Sequence, residues 1–222
     1  MRKQRIKQPV VTGDAALRLE RLSATAASTT WFDISASGNN GTASDAAIFA
    51  DFNFDGIVDR VDLTSAGPES DFTQNFTFCF WYKRAIPGLQ QSTMADTRAP
   101  APAGSLGGWT YRDNAGGSYD DFWLSIYNPT YQFQDASPGS DGDWHFAAVT
   151  FTSGVGWKAY ADGALYRTQN NPAINGTGEA MRIGTGAYNK FEGYIDTVRV
   201  YPRLLSADEI LRDYHAGKAA HP

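Results

Sequence analysis

The run FTFCFWYK, Phe76 to Lys83, alternates with period two. Phe76, Phe78, Phe80 and Tyr82 fall on one face of an extended chain, and Thr77, Cys79 and Trp81 on the other. A helix would scatter these residues around its axis, whereas a strand sorts them into two sets. Both sets are bulky and largely apolar, so the strand is expected at the centre of a sheet, covered on both sides. The rest of the chain must then supply two covers.

Working outward, similar strand patterns recur. Leu17 to Leu22 alternates apolar and charged residues, and Ile48 to Phe54 alternates in part. DFWLSIYN (Asp121–Asn128), WHFAAVTFT (Trp144–Thr152), Met181–Ile183 and YIDTVRVY (Tyr194–Tyr201) read as further strands. WKAYADGALYR (Trp157–Arg167) reads as a hairpin turning at Asp162-Gly163, and Asp55-Gly56 marks another turn. Residues 86–118 are rich in Gly, Pro, Ser and Ala and are expected to be loops around a short strand at Trp109–Arg112. About ten to twelve short strands separated by turns point to an antiparallel β-sandwich.

The period changes once, at LSADEILRDYH (Leu205–His215). Ser206 and Glu209 form a capping box, Leu205 and Ile210 a hydrophobic staple, and Ile210, Leu211 and Tyr214 an apolar face. One short C-terminal helix, residues 206–215, is therefore expected on an otherwise all-β body spanning 14–222.

The chain has 222 residues, 42% hydrophobic and 14% aromatic, enough for one large β domain with a sizeable core. Its single cysteine, Cys79, excludes an internal disulfide and reads as a buried thiol. No run approaches the ~18 consecutive apolar residues of a membrane-spanning helix. The first 13 residues, MRKQRIKQPVVTG, lack the apolar segment of a secretory signal. They form a basic arm: Arg2, Lys3, Arg5 and Lys7 supply four of the 19 basic residues, while all 24 acids lie beyond it. A solvated tail and an arm that docks on an acidic partner both remain open. Nucleic acid is not expected, because nothing in the acidic body extends the positive stripe.

Five motifs in order resemble the laminin G-like, concanavalin A-like domains. TTWFDISASGNNGT is similar to their W-x-D-x-S-G-N-G-N-x-G-T segment, and FDGIVDRVDL to F-D-G-x-x-D-Y-V-x-L. FTFCFWYKR, DWHFAAVTF and FEGYIDTVRVYPRLLSADEI follow their later strands and helix. The resemblance spans about Leu17 to Tyr214 and implies a two-sheet antiparallel jelly roll. It also implies glycan-binding or adhesion modules, often with calcium, and single-domain components of bacteriophage particles. Three departures stand out: Ala36 or Ser37 where a second glycine is usual, Arg60 for a tyrosine, and Thr197 for the second aspartate of I-D-D-V.

Calcium takes six to eight oxygens. Asp33, Asn39 and Asn40 offer side-chain oxygens, and Gly38 and Gly41 permit turns that aim carbonyls inward. Glu20 is expected at the end of the first strand, and Asp196 on the Val198/Val200 face of the last. In the resembled fold these strands are neighbours, so Glu20, Asp33 and Asp196, with carbonyls near Asn39 and Gly41, are candidate ligands. The competing reading has Asp33 closing an Asx-turn and Asp196 accepting loop amides.

No carboxylate pair has the spacing of a glycosidase cleft, and no nucleophile elbow or phosphate loop occurs. His145, beside Trp144 in a strand, reads as a hydrogen-bonded structural histidine, so a non-enzymatic protein is expected. Trp109, Tyr111, Tyr119, Tyr127, Tyr131 and Tyr188 are candidate loop aromatics for stacking on sugars. The arm, the missing signal segment and the viral resemblance together favour a structural virion component on a particle surface, partnered by other virion proteins. The alternative is a carbohydrate-binding adhesion module on an extracellular surface.

Overall fold

A computed structural model describes residues 15, 17–24, 30–35, 37–43, 53–84, 92–97, 109–113, 121–128, 130–138, 142–170, 178–186 and 189–222; along 109–138 the backbone alone is described. Sixteen strands occur among them. They are β1 (Leu17–Ala24), β2 (Thr30–Asp33), β3 (Gly41–Ala43), β4 (Asn53–Asp55), β5 (Val61–Leu63), β6 (Phe76–Arg84), β7 (Ser92–Asp96) and β8 (Trp109–Asp113). There follow β9 (Asp121–Asn128), β10 (Thr130–Pro138), β11 (Trp144–Thr152), β12 (Gly156–Ala161), β13 (Ala164–Asn170), β14 (Arg182–Ile183), β15 (Asn189–Lys190) and β16 (Glu192–Tyr201). One α-helix, α1 (Ala207–Lys218), ends the chain.

The hydrogen-bonded order is β10-β9-β8-β7-β14-β5-β3-β2-β1-β16-β6-β11-β12-β13, with β4 added to β16 and β15 to β7. Every pairing is antiparallel except β15 with β7. The ladder folds over so that its two halves face each other. Phe78, Phe80 and Tyr82 of β6 and Val149 and Phe151 of β11 meet Val61, Met94 and Ile183 of β5, β7 and β14 in one core. Rings dominate it: Phe78 and Phe80 are 5.0 Å apart, and Phe72 packs edge-on to Phe151 at 5.1 Å.

The second face of β6 is buried as the alternation demands, and α1 is its cover. Cys79 and Trp81 pack with Phe146, Ala148, Tyr160 and Tyr201 beneath Leu205 and Ile210. Burial raises the Cys79 thiol far above its usual value, as expected of an inert, structural cysteine. Ser206 caps the helix, its hydroxyl accepting from Glu209 N–H while the Glu209 carboxylate accepts from Ser206 N–H. Arg203 grips the same carboxylate at 2.8 and 3.1 Å and holds its pKa down at about 2. Tyr201 and Arg199 of β16 reach Asp213 on the buried side of α1, at 3.2 and 3.6 Å.

The helix outlasts the expected residue 215 by three. Gly217 explains the extension: a Cβ there would lie 2.4 Å from Trp81 Nε1. Without one, the last turn settles on the indole. The tail then folds back, and His221 stacks on Trp81 with ring centroids 4.3 Å apart and planes 5° from parallel. The Asp162-Gly163 hairpin forms as read, both residues at positive φ, 49° and 82°.

Three expectations are corrected. Glu20 lies inside β1, which continues to Ala24, and does not end the strand. Tyr131, expected on a loop, lies within a strand, since residues 130–138 pair with β9 along their length. Asp196 is not on the Val198/Val200 face. Thr197 adopts φ 56° and the register of β16 on β6 slips between Asp196 and Arg199. Such a bulge adds a residue and inverts the alternation across it. Ile195 and Val200 therefore both face the core, and Asp196 pairs with Trp81 on the outer face.

Inside the 3-10 turn Pro68–Ser70, Glu69 is fully buried. Burial pushes its carboxyl up to about 7, offset only in part by the amides of Glu69 and Gly67.

Three outcomes follow. Gly217→Ala, which helix propensity alone favours by ~1 kcal/mol, will instead destabilise by ~1–3 kcal/mol through overpacking against Trp81, read as a lower thermal midpoint. Thr197→Gly will stabilise by about 1 kcal/mol, because a β-branched residue is strained at positive φ. Glu69 is protonated in the folded chain up to about pH 7 but only to about 4.5 when unfolded, so stability falls as pH rises through that window. Glu69→Gln will therefore raise the midpoint more at pH 8 than at pH 5.

Candidate functional site

The loop between β2 and β3 is built around one carboxylate. Asp33 Oδ1 accepts from Ser35 N–H at 2.8 Å, closing an Asx-turn. Oδ2 accepts from Ser35 Oγ at 2.8 Å, Ser37 Oγ at 3.1 Å and Asn39 N–H at 2.8 Å. Asn40 Oδ1 returns the contact by accepting from Asp33 N–H at 2.9 Å. Asn39 turns the other way: its Oδ1 accepts from Thr64 Oγ1 and Ser65 N–H, and its Nδ2 donates to Ser65 O. Gly38 makes a true turn at φ 65°. Gly41 does not: it sits in β3, where a Cβ would strike Val61 at 2.3 Å, so close packing and not a carbonyl turn requires glycine.

Asp196 has different surroundings. Its Oδ1 accepts from Thr197 N–H at 2.6 Å, and its Oδ2 lies 3.1 Å from His221 Nε2. His221 Nδ1 donates to Gly217 O at 2.9 Å, while Trp81 lies flat on the ring and Trp144 edges against it at 4.7 Å. Asp33 shares the face of Trp31, a core residue two positions before it, whereas Asp196 shares the outer face with Trp81. Asp33 and Asp196, two of the three carboxylates expected around one calcium, thus stand on opposite faces of the sheet, and the side chain of the third, Glu20, lies outside the described residues. The side-chain oxygens of Asn39 and Asn40 are spent on donors from the protein. The expected donors do not fit a single calcium cage, and no group of three His, Cys, Asp or Glu side chains is placed to hold a metal among the described residues.

Other carboxylates follow the same habit of closing turns. Asp55 Oδ1 accepts from the amides of Ile57, Val58 and Asp59, which outweigh the upward push of burial and lower its pKa. Asp162 accepts from Phe146 N–H at 2.9 Å and lies 2.9 Å from His145 Nδ1. Burial raises its carboxyl, but these hydrogen bonds prevail and hold it below the ordinary range. His145 is accordingly a structural histidine, as its sequence context indicates.

The candidate sugar-stacking aromatics do not form one loop platform. Trp109 and Tyr111 belong to β8, Tyr127 to β9 and Tyr131 to β10. The register pairs Trp109 with Ile126 and Tyr127 with Tyr131, so the first two residues take one face of the sheet and the second two the other. Tyr111 pairs with Ala95 of β7. Tyr119 and Tyr188, and Arg2, Lys3, Arg5 and Lys7 of the arm, lie outside the described residues. His221 had no sequence signal: nothing in its neighbours announces a carboxylate 25 residues upstream.

Solved structures share this architecture. The binding domain of botulinum neurotoxin serotype D superposes with a TM-score of 0.67 at 16% identity, over 91% of this chain and 52% of that one. The botulinum neurotoxin DC binding domain in complex with rat synaptotagmin II gives 0.66 at 16%, over 91% and 51%. This chain spans about half the length of those toxin domains. Domain 4 of AbnA, an extracellular arabinanase from Geobacillus stearothermophilus in complex with arabinotriose, gives 0.62 at 13% identity, over 90% and 98%. No curated protein sequence matches the chain. A family described as the concanavalin A-like lectin/glucanases superfamily matches residues 55–211, from the Asp55 turn to the middle of α1. With the five sequence motifs and the two facing antiparallel layers, that match places the chain in the concanavalin A-like lectin/glucanases superfamily.

Proposed function

We propose that this chain is a non-enzymatic carbohydrate-binding module. The observation that carries the reading is the fate of the carboxylates. Asp33, Asp55 and Asp162 accept backbone amides in turns, and Asp196 faces a histidine under the helix. Retaining or inverting hydrolysis needs two carboxyls facing each other across a cleft, about 5 to 9.5 Å apart. Acids used as turn-closers hold a surface still, which favours recognition over turnover. The arabinotriose complex of a domain matched over 98% of its length lends the ligand class. A glycan array tests the reading: neutral or acidic glycans should be retained unchanged, and an array without binding, or products released from a bound oligosaccharide, would overturn it.

A second reading rests on Arg2, Lys3, Arg5 and Lys7 set against an otherwise acidic chain. A basic arm of that kind suits docking on an acidic assembly surface, as in a bacteriophage decoration, fibre or tail-associated protein. Copurification with virus particles, lost on deleting residues 1–9, is its expected result.

A further inference from the structure

A cleft of about 500 Å³ opens at one end of the sandwich, between the segment Ala66–Asn75, Gly178 and Pro202. That volume lies within the ~300–1,000 Å³ of small-ligand sites. Its walls are pinned. Ser70 N–H and Asp71 N–H donate to Gly67 O and Pro68 O at 3.0 and 3.2 Å, and Ser70 Oγ donates to Glu179 O at 2.7 Å. Two polar side chains on its walls, Asp71 and Asn75, are held by one oxygen each. Asp71 Oδ1 accepts from Thr73 N–H at 2.9 Å and Thr73 Oγ1 at 2.7 Å. Asn75 Oδ1 accepts from Ser153 N–H at 2.9 Å, which fixes which end of the amide is which. Among the described residues Asp71 Oδ2 and Asn75 Nδ2 have no further partner, one an acceptor and one a donor, while Gln74 Nε2 donates to Thr73 Oγ1 at 3.4 Å. Pro68 and Pro202 supply C–H surface.

We infer that this cleft binds a neutral oligosaccharide, Asp71 accepting from a sugar hydroxyl and Asn75 donating to its neighbour. The inference rests on the carbohydrate-binding reading and gives it a place and a charge class. A hydroxyl both donates and accepts, so ring hydroxyls match a cleft that offers one acceptor and one donor. Among the described residues no Lys or Arg lines the cleft, and the charged side chain that does, Asp71, is an acid. Sialylated, sulfated and phosphorylated ligands would meet repulsion without a counter-charge. Pre-set side chains reduce the ordering cost that weakens small-ligand binding.

The test uses two isosteric variants. Asp71→Asn keeps an oxygen for Thr73 but offers a donor in place of Oδ2, and Asn75→Asp keeps the Ser153 contact but loses both N–H donors. Full-length protein from bacteria, with the Asn75 sequon unmodified, is titrated with arabinotriose, cellotriose, mannotriose, any neutral array hit, and sialyllactose. The expected result is a neutral sugar whose Kd rises tenfold or more in each variant at an unchanged thermal midpoint, with sialyllactose silent. Unchanged affinity in both variants, with loss in Tyr127→Ala or Tyr131→Ala, overturns the cleft and leaves the carbohydrate reading standing. Preference for sialyllactose overturns the charge class. Wild-type protein that retains no glycan of the titration or the array removes both.

Discussion

Strand β6 cannot show either face to water, and the architecture is the answer to that constraint. Its inner side brings Phe76, Phe78, Phe80 and Tyr82, its outer side Cys79 and Trp81, all at 2% exposure or less. At ~1.5–3 kcal/mol for each large apolar side chain removed from water, leaving the inner set uncovered would cost about 6–12 kcal/mol, comparable with a domain's usual net stability of ~5–15 kcal/mol. The second layer covers one side and α1 the other. The capping box, the Arg203 grip and the Asp213 contacts all serve to seat that helix.

Much of this was legible because strong local rules were at work. Two-residue alternation gave β6 and β11, Asp162-Gly163 gave a hairpin, and Ser206 with Glu209 gave the helix start to the residue. What escaped depended on partners distant in sequence. Thr197 reads as an ordinary strand residue, and only pairing with β6 reveals the extra residue that turns Asp196 outward. The polar run of β10 is a strand because β9 lies beside it. His221 finds Asp196 only after α1 has brought the tail over Trp81. The candidate aromatics of β8 are separated by register from those of β9 and β10, which no single-strand pattern reports.

The site expectations centred on the Asp33 loop because its composition is unusual. The structure accounts for that composition without a ligand. A carboxylate taking two amides and two hydroxyls, and an asparagine bridging to Ser65, need small polar neighbours and a glycine at positive φ. Composition alone cannot separate a loop that folds on itself from one that folds on a ligand, since both collect oxygens in a tight turn. The lining of the 66–75 cleft is plainer in sequence, yet it leaves polar atoms over.

The irregularity at Thr197 also bears on how this strand can change over generations. Upstream and downstream of it, β16 keeps opposite phases, so both Ile195 and Val200 reach the interior. Loss of the Thr197 codon would leave Ile195, Asp196 and Val198 in unbroken alternation, each arm keeping its face and its register on β6. Where an ordinary strand turns its side chains over when it loses a residue, this stretch carries one that the two faces do not need.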